Sequence, residues 1–359
     1  MNILMVAPEQ IPVPGNGSVE ICMLAVARQL AASHHTVTLV SRMARRLPRV
    51  SRMGNLKIVR VATGSSSRYI SSVLRYIKGR HYDLIQVDNR PYYMAKIKAA
   101  FPHTPVSLFL HSLTFVKPTA RVTDSLGMAD LIIANSEALK ASLSQRFPRQ
   151  AGKIHKVHLG VDTGRFMPAA GRLSRSGPFR VLFAGRVIPR KGVPVLIRAM
   201  SLVRQEYGAA SLTVVGGGQP GYMRQLRRLA RSKRVPVRFT GKVPHRSIHR
   251  RFREADCFAC PSQEHEAFGL VNVEAMASGL PVIASNIGGI GEIVKHGSNG
   301  YLVDGYHRPE EHAKWILQLA RNRELAAKMS RRARQDAVER FGWKQTANKL
   351  AGIYKQYVS

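Results

Sequence analysis

The sequence predicts an α/β protein built from two doubly wound domains. Short apolar runs alternate with helix-like stretches from residue 3 to residue 147, and after a Pro-, Ala-, Gly-, Ser- and Arg-rich stretch the same alternation restarts. The length of 359 residues also exceeds one ordinary domain of about 100–200 residues.

Residues 3–7 form an apolar run, followed by a Pro- and Gly-rich loop to Gly17, a helical pattern through Leu30 and a second strand at 36–40. Further strands are predicted at 57–61, 84–87, 106–110 and 131–134, with a helix at 136–147. Around 167–178 the apolar periodicity lapses, which reads as a linker. Strands resume at 179–184, 211–215, 237–240, 257–260 and 282–284, and the stretch from 310 to 359 reads as successive helices interrupted at Phe341 and Gly342. The expected division is therefore a first domain over 1–168, a linker over 169–178, a second domain over 179–340 and a final helix over 341–359 that packs back toward the first domain.

The apolar fraction of 45% and aromatic fraction of 7% exclude disordered and collagen-like classes. Charge is the anomaly. Lys and Arg number 56 against 21 Asp and Glu, a net +35, and the excess is spread: +15 through residue 170 (23 basic, 8 acidic) and +20 beyond it (33 basic, 13 acidic). Such a field attracts phosphorylated small molecules, acidic polymers, nucleic acid and anionic membrane without choosing among them. No RRM, KH or zinc signature accompanies it, so sequence-specific nucleic-acid binding is not expected. Three cysteines do not suggest a disulfide scaffold, and residues 1–7 lack the build of a signal peptide. A reducing cytoplasm fits. Cys257 and Cys260 lie in a short apolar strand and read as core residues rather than a redox or zinc pair. No apolar run is long enough to span a bilayer, so membrane contact, on the inner face, would be peripheral.

In open parallel sheets, ligands bind outside the carboxyl ends of the strands, where helix N-termini aim free N–H groups. Gly17 stands at such a position, as a phosphate contact or a plain turn glycine. Gly185-Arg186 and Lys191-Gly192 follow the first strand of the second half, placing two cations where a diphosphate would lie. The Gly216-Gly217-Gly218 turn lacks the dinucleotide fingerprint, which counts against a nicotinamide cofactor. The segment 261–281 is the most informative. Glu266 falls in a loop, Gly269 to Val271 near a helix start, and Glu274 on an otherwise apolar helix. Free amides there suit phosphate oxygens, and two carboxylates suit hydroxyls; the alternative is a pair of solvated acids. His111 ends the strand at 106–110 and is either a cleft residue or structural. Asp130 and Asp162 read as caps, Asn299-Gly300 as a turn. The absence of D-x-D and H-E-x-x-H argues against a protein-held catalytic metal, and no cofactor is expected.

Taken together, these segments resemble retaining glycosyltransferases of the GT-B fold, family 4. The resemblance runs through Gly17, Ala129 to Glu137, Gly160-Val161-Asp162 with Phe166, Gly185-Arg186 with Lys191-Gly192, Val215-Gly216, the 261–281 block, Gly288-Gly289 and Gly300. Glu266 and Glu274 form the family's E-x7-E pair. The resemblance implies two Rossmann-like domains facing across a cleft and transfer of a sugar from a nucleotide-diphosphate donor, such as a UDP- or GDP-sugar, to a glycan, lipid-linked or protein acceptor in the bacterial cell envelope or spore coat. Arg186 and Lys191 would hold the diphosphate. Phe268, Gly269, Leu270 and Val271 would offer backbone to phosphate and sugar, and Glu274 would accept from the ribose. Glu266 and His111 would sit at the transferred sugar. Departures are Asn16-Gly17 for the usual Gly-Gly, Leu159 for the usual Asn, and Gly217 for the usual loop acid. Asp88-Asn-Arg-Pro91 is similar to spore-coat-associated members, so a coat protein of little activity is the alternative; a nonspecific nucleic-acid binder is the other.

Overall fold

The computed structural model describes residues 1–12, 17–171 and 177–358. The part of the expected linker at 172–176 and the first-loop residues 13–16 lie outside these. The chain divides into two compact units, one of residues 1–160 with 343–359 and one of residues 161–342.

The first unit holds strands β1 (Asn2–Val6), β2 (Thr36–Arg42), β3 (Val50–Met53), β4 (Leu56–Val61), β5 (Leu84–Asp88), β6 (Val106–Leu110), β7 (Leu131–Ala134) and β8 (Ile154–Lys156). Their order in the sheet is β3-β4-β2-β1-β5-β6-β7-β8, and all pairs are parallel except β3 with β4. Its helices are α1 (Ser18–Ala32), α2 (Ser66–Ile77), α3 (Pro91–Ala100), α4 (Ala120–Met128) and α5 (Glu137–Arg146). The central strands β1, β5 and β6 are almost wholly buried, which is why they read as continuous apolar runs rather than alternating ones. Gln86 and Asp88 are the exceptions in β5, both buried on one face of the strand.

The second unit holds β9 (Phe179–Ala184), β10 (Ala210–Val215), β11 (Val237–Gly241), β12 (Cys257–Cys260), β13 (Val282–Ser285) and β14 (Gly300–Val303), ordered β11-β10-β9-β12-β13-β14 and parallel throughout. Its helices are α6 (Val193–Tyr207), α7 (Pro220–Ser232), α8 (His245–Arg253), α9 (Leu270–Ala277), α10 (Pro309–Arg321) and α11 (Arg323–Arg340). One core joins Val181, Phe183, Leu196, Met200, Leu212, Val214 and Ile316 between sheet and helices. Cys257 and Cys260 are buried free thiols, and burial pushes the Cys260 thiol up, as core residues require.

Three findings differ from the sequence expectation: the place where the units change, the role of Gly300 and the role of Asp130. The change of unit falls after Gly160, not at 168. The Val161 N–H donates to the Phe341 carbonyl at 2.7 Å, and Phe166 is buried against His245, His249 and Phe252, all in the second unit. The final helix α12 (Trp343–Tyr354) belongs to the first unit, with Thr346 Oγ1 donating to the His158 carbonyl at 3.0 Å. Gly300 opens strand β14 rather than completing a turn. A Cβ there would fall 2.2 Å from the Val282 carbonyl oxygen, so only glycine lets β14 lie against β13. Asp162 caps a turn, accepting from the Arg165 N–H at 3.0 Å, whereas Asp130 caps no helix: it accepts from the Val106 N–H at the start of β6 at 2.7 Å and pairs with Lys98.

Candidate active site

In the second unit, the loop after β9 ends in a single 3-10 turn, Pro189–Lys191, before Gly192 opens α6. Gly192 has φ of 70°, and a Cβ on it would meet the Pro261 carbonyl oxygen at 1.7 Å. No other residue permits that approach. The Gln263 N–H also donates to the Arg190 carbonyl at 2.8 Å, so the loops after β9 and β12 are joined backbone to backbone. This brings Lys191 onto Glu266, whose Oε2 accepts from Nζ; both side chains are largely buried. Ser262 Oγ lies 3.4 Å from the same oxygen.

Glu266 is held from its other side by the loop after β13. The Gly289 N–H donates to the Glu266 carbonyl at 2.9 Å, and a Cβ on Gly288 would fall 2.0 Å from that oxygen. Glycines 288 and 289 therefore serve to fix Glu266. Gly269, at φ 91°, caps α9: its carbonyl accepts from the Asn272 N–H at 2.9 Å, and the amides of Leu270 and Val271 at the helix start have no intrahelical acceptor. Within that first turn Asn272 is fully buried, and apart from the weakly accepting Cys260 thiol its side-chain amide has no hydrogen-bond partner among the described residues. Such an amide is matched to a ligand or ordered water.

Glu274 is buried on α9, and its Oε1 accepts from His245 Nε2 at 2.8 Å. Arg165 Nη2 lies 3.3 Å from His245 Nδ1. A guanidinium only donates, so Nδ1 accepts and Nε2 carries the proton that faces Glu274. Two of the predicted donor residues stand differently from the rest. Arg186 is exposed at the end of β9, with no side-chain ion pair or hydrogen bond among the described residues. Phe268 is buried edge-on against Phe341 at 6.1 Å, so its side chain belongs to the core. Leu270 and Val271 are half-buried at the helix start.

In the first unit, Gly17 is the N-cap of α1, and Glu20 in the first turn is buried, which pushes its carboxyl above the ordinary range. His111 follows β6. Its Nε2 lies 2.8 Å from Asp88 Oδ2, its ring stacks on Phe109 at 4.5 Å, and its N–H donates to Asn89 Oδ1. His245 and Asn272 were not singled out by sequence reasoning, and Asp88 only as the first residue of the Asp88-Asn-Arg-Pro91 stretch, not as a site residue. The strand-end rule that found His111 applies equally to Asp88, which closes β5, and to His245, which follows β11. Among the described residues, no cluster of three or more His, Cys, Asp or Glu is arranged to hold a metal ion, and no helix is long and apolar enough to cross a membrane.

Residues 17–165 match the family model described as Glycosyltransferase Family 4, and residues 170–336 that described as Glycosyl transferases group 1. The chain is 28% identical to spore coat protein SA of Bacillus subtilis, with 99% of this chain and 100% of the relative covered. It is 31% identical to a D-inositol 3-phosphate glycosyltransferase of Salinispora arenicola, covering 96% of this chain and 88% of the relative. Among solved structures, Anabaena HepE in complex with UDP is similar at a TM-score of 0.80 and 21% identity, covering 99% of this chain and 100% of that one.

Proposed function

Because the chain belongs to glycosyltransferase family 4 and has the GT-B fold, we propose that it is a retaining transferase that moves a hexose from a UDP-sugar to a hydroxyl of a cell-envelope acceptor. That it is a glycosyltransferase of the type that uses nucleotide-sugar donors follows from the family. Donor base, retention and acceptor are our reading. One observation carries it: a single loop-and-helix segment presents Glu266 in contact with Lys191, the helix-start amides of Leu270 and Val271, the Asn272 side-chain amide and Glu274. That set complements a molecule with an anionic phosphate end and several hydroxyls. UDP bound to the similar HepE supports a uridine donor.

In this reading Arg186 and Lys191 receive the diphosphate together with the start of α9, and Glu274, oriented by His245, accepts from the ribose hydroxyls. Glu266 and His111 contact the transferred sugar. A nucleoside diphosphate is already a good leaving group, so the protein's task is to stabilise charge on the departing oxygen and to align the acceptor. The bond from the anomeric carbon to phosphate oxygen breaks, the acceptor oxygen bonds to that carbon on the same face, and its proton passes to the leaving phosphate. The two cations supply the charge neutralisation that would otherwise fall to a metal ion.

The alternative, a coat-associated protein of little activity, draws on the similarity to spore coat protein SA. The gathering of Lys191, Glu266, His245 and Glu274 at the carboxyl ends of the strands, where ligands of open parallel sheets bind, favours an enzyme. Thermal-shift measurement with UDP-, GDP- and ADP-glucose tests the donor assignment, because a bound donor stabilises in proportion to ln(1 + [L]/Kd). Stabilisation by UDP-glucose and release of UDP lost in Glu266→Gln are expected. Equal background release from both proteins supports the coat reading.

We further propose peripheral docking on anionic lipid headgroups. Residues 220–254 carry 12 Lys and Arg against the single acid Glu254. Arg227 and Arg231 of α7 share a groove with Val237 and Phe239 of β11, and Arg238 of β11 and Arg251 of α8, both paired with Glu254, line a second groove that also meets Val237. No large apolar side chain is exposed in either groove, so docking would be electrostatic rather than insertive.

A further inference from the structure

The buried polar residues of β5 form a chain of hydrogen bonds that ends on His111 and begins on the last helix. Tyr354 of α12 is fully buried, and its hydroxyl donates to Gln86 Oε1 at 2.7 Å. Gln86 Nε2 donates to Asp88 Oδ1 at 2.6 Å. Asp88 Oδ2 lies 2.8 Å from His111 Nε2. All four side chains are at least 94% shielded from solvent.

We propose that Tyr354, acting through Gln86 and Asp88, is a positioning residue for sugar transfer: it fixes the ring orientation and tautomer of His111. The inference rests on the assignment of His111 to the transferred sugar.

The direction of each bond follows from chemistry alone. An ionised carboxylate only accepts, so Gln86 must turn its NH2 toward Asp88 and its carbonyl toward Tyr354. Tyr354 must then donate, and burial, by pushing its phenol up, keeps it protonated. With one Asp88 oxygen occupied by Gln86, the other accepts from His111 Nε2–H. In its neutral form the ring therefore holds its proton on Nε2 and leaves Nδ1 bare, an acceptor for a hydroxyl proton. Stacking on Phe109 and the anchoring of the His111 backbone by Asn89 and Asn135 leave that ring little other freedom. If Tyr354 is lost, Gln86 Oε1 is left unpaired in a dry interior, and a half-turn of the amide would direct its carbonyl at Asp88. The carboxylate would then lose a donor and its fixed position. A hydroxyl 268 residues along the chain from Gln86 is thus placed to set which nitrogen of His111 meets the substrate.

The test is nitrogen NMR of histidine-labelled full-length protein at alkaline pH, with the His111 resonances assigned by their loss in His111→Gln. It is paired with nucleotide release from whichever of UDP-, GDP- and ADP-glucose the wild type cleaves. The wild type is expected to show Nε2 protonated and Nδ1 bare. Tyr354→Phe, which keeps the packing of α12, is expected to give mixed tautomers and to lower kcat on the order of 10- to 100-fold, the effect typical of losing a partner that orients a functional histidine, with donor KM changed by less than about twofold. Asp88→Asn is expected to do the same if Tyr354→Phe proves poorly folded. A wild-type proton on Nδ1, or a Tyr354→Phe protein with wild-type tautomer and kcat, overturns the inference. Full activity of His111→Gln instead overturns the assignment of His111 on which it rests.

Discussion

Replacing Lys191 by Met separates the structural from the catalytic use of one cation. Lys191 and Glu266 are 14% and 19% exposed as side chains and touch each other. A contact pair at an effective dielectric near 20 gains roughly 5 kcal/mol of Coulomb energy, most of it offset by desolvation of both groups. Among the described residues, removing the ammonium leaves the Glu266 carboxylate with Ser262 Oγ alone, at 3.4 Å. Discounted for the residual exposure, the stability loss is about 1–3 kcal/mol, below the ~3–5 kcal/mol of fully buried pairs. In a unit of this size each kcal/mol moves Tm by about 2–4 °C. Lys191→Met should therefore melt several degrees lower. Adding Glu266→Gln removes the stranded charge and should restore most of that loss. Catalysis should not recover: if Lys191 meets the departing diphosphate, kcat/KM falls on the order of 10²- to 10³-fold in the single variant, and further in the double variant. Calorimetry and steady-state nucleotide release read the two effects separately. A kcat/KM within threefold of wild type in Lys191→Met, or activity that returns together with stability in the double variant, refutes the reasoning.

Three further outcomes are expected. Glu274→Gln should raise donor KM about 10- to 100-fold with kcat less affected, as loss of a charge-assisted hydrogen bond worth ~1.5–3 kcal/mol requires, and isothermal titration with UDP checks it. Burial lowers His312 to about 4, so the unfolded chain binds its proton first; stability from this site is full above pH 6.5 and is lost as pH falls toward 4. Between pH 7 and pH 5 the cost is about 2 kcal/mol, and urea unfolding should show His312→Phe less pH-dependent than wild type over that interval. Sedimentation with phosphatidylglycerol vesicles should capture the protein at low salt and release it at high salt, whereas neutral phosphatidylcholine should not; charge reversal at Arg227 and Arg231 should weaken capture.

The strands that carry the site were legible because parallel, doubly covered strands read as unbroken apolar runs, and all eleven expected strands exist within a residue or two of their expected ends. Those missed lack that signature. β3 is mostly exposed on an antiparallel edge, β8 is three residues long, and β14 begins at a glycine that mimics a turn. The E-x7-E segment was legible because one loop and one helix contain it. The partners of those carboxylates were not, since His245 precedes Glu274 by 29 residues and Lys191 precedes Glu266 by 75. Pairings at such separations are set by which strand ends the sheet brings together, and that order, β11-β10-β9-β12, does not follow the chain.

The departures from the family pattern acquire a physical sense in the same terms. Where the family usually carries an acid, Gly217 leaves room that is already filled: a Cβ there would meet Lys242 Cγ at 2.8 Å and Cε at 3.0 Å. The Lys242 stem thus lies over the turn after β10, and a cation has taken the neighbourhood of an anion. The next loop along the sheet is that after β9, which bears the exposed Arg186 and, beyond it, Lys191. The two loops are in contact, since the Val187 N–H donates to the Gly217 carbonyl at 2.9 Å. The substitution therefore adds to the positive potential at the strand ends rather than disrupting a donor site. An anionic ligand there is drawn by three cations, of which, among the described residues, only Lys191 has an acidic partner, and this favours a diphosphate over any neutral or cationic substrate at that end of the sheet.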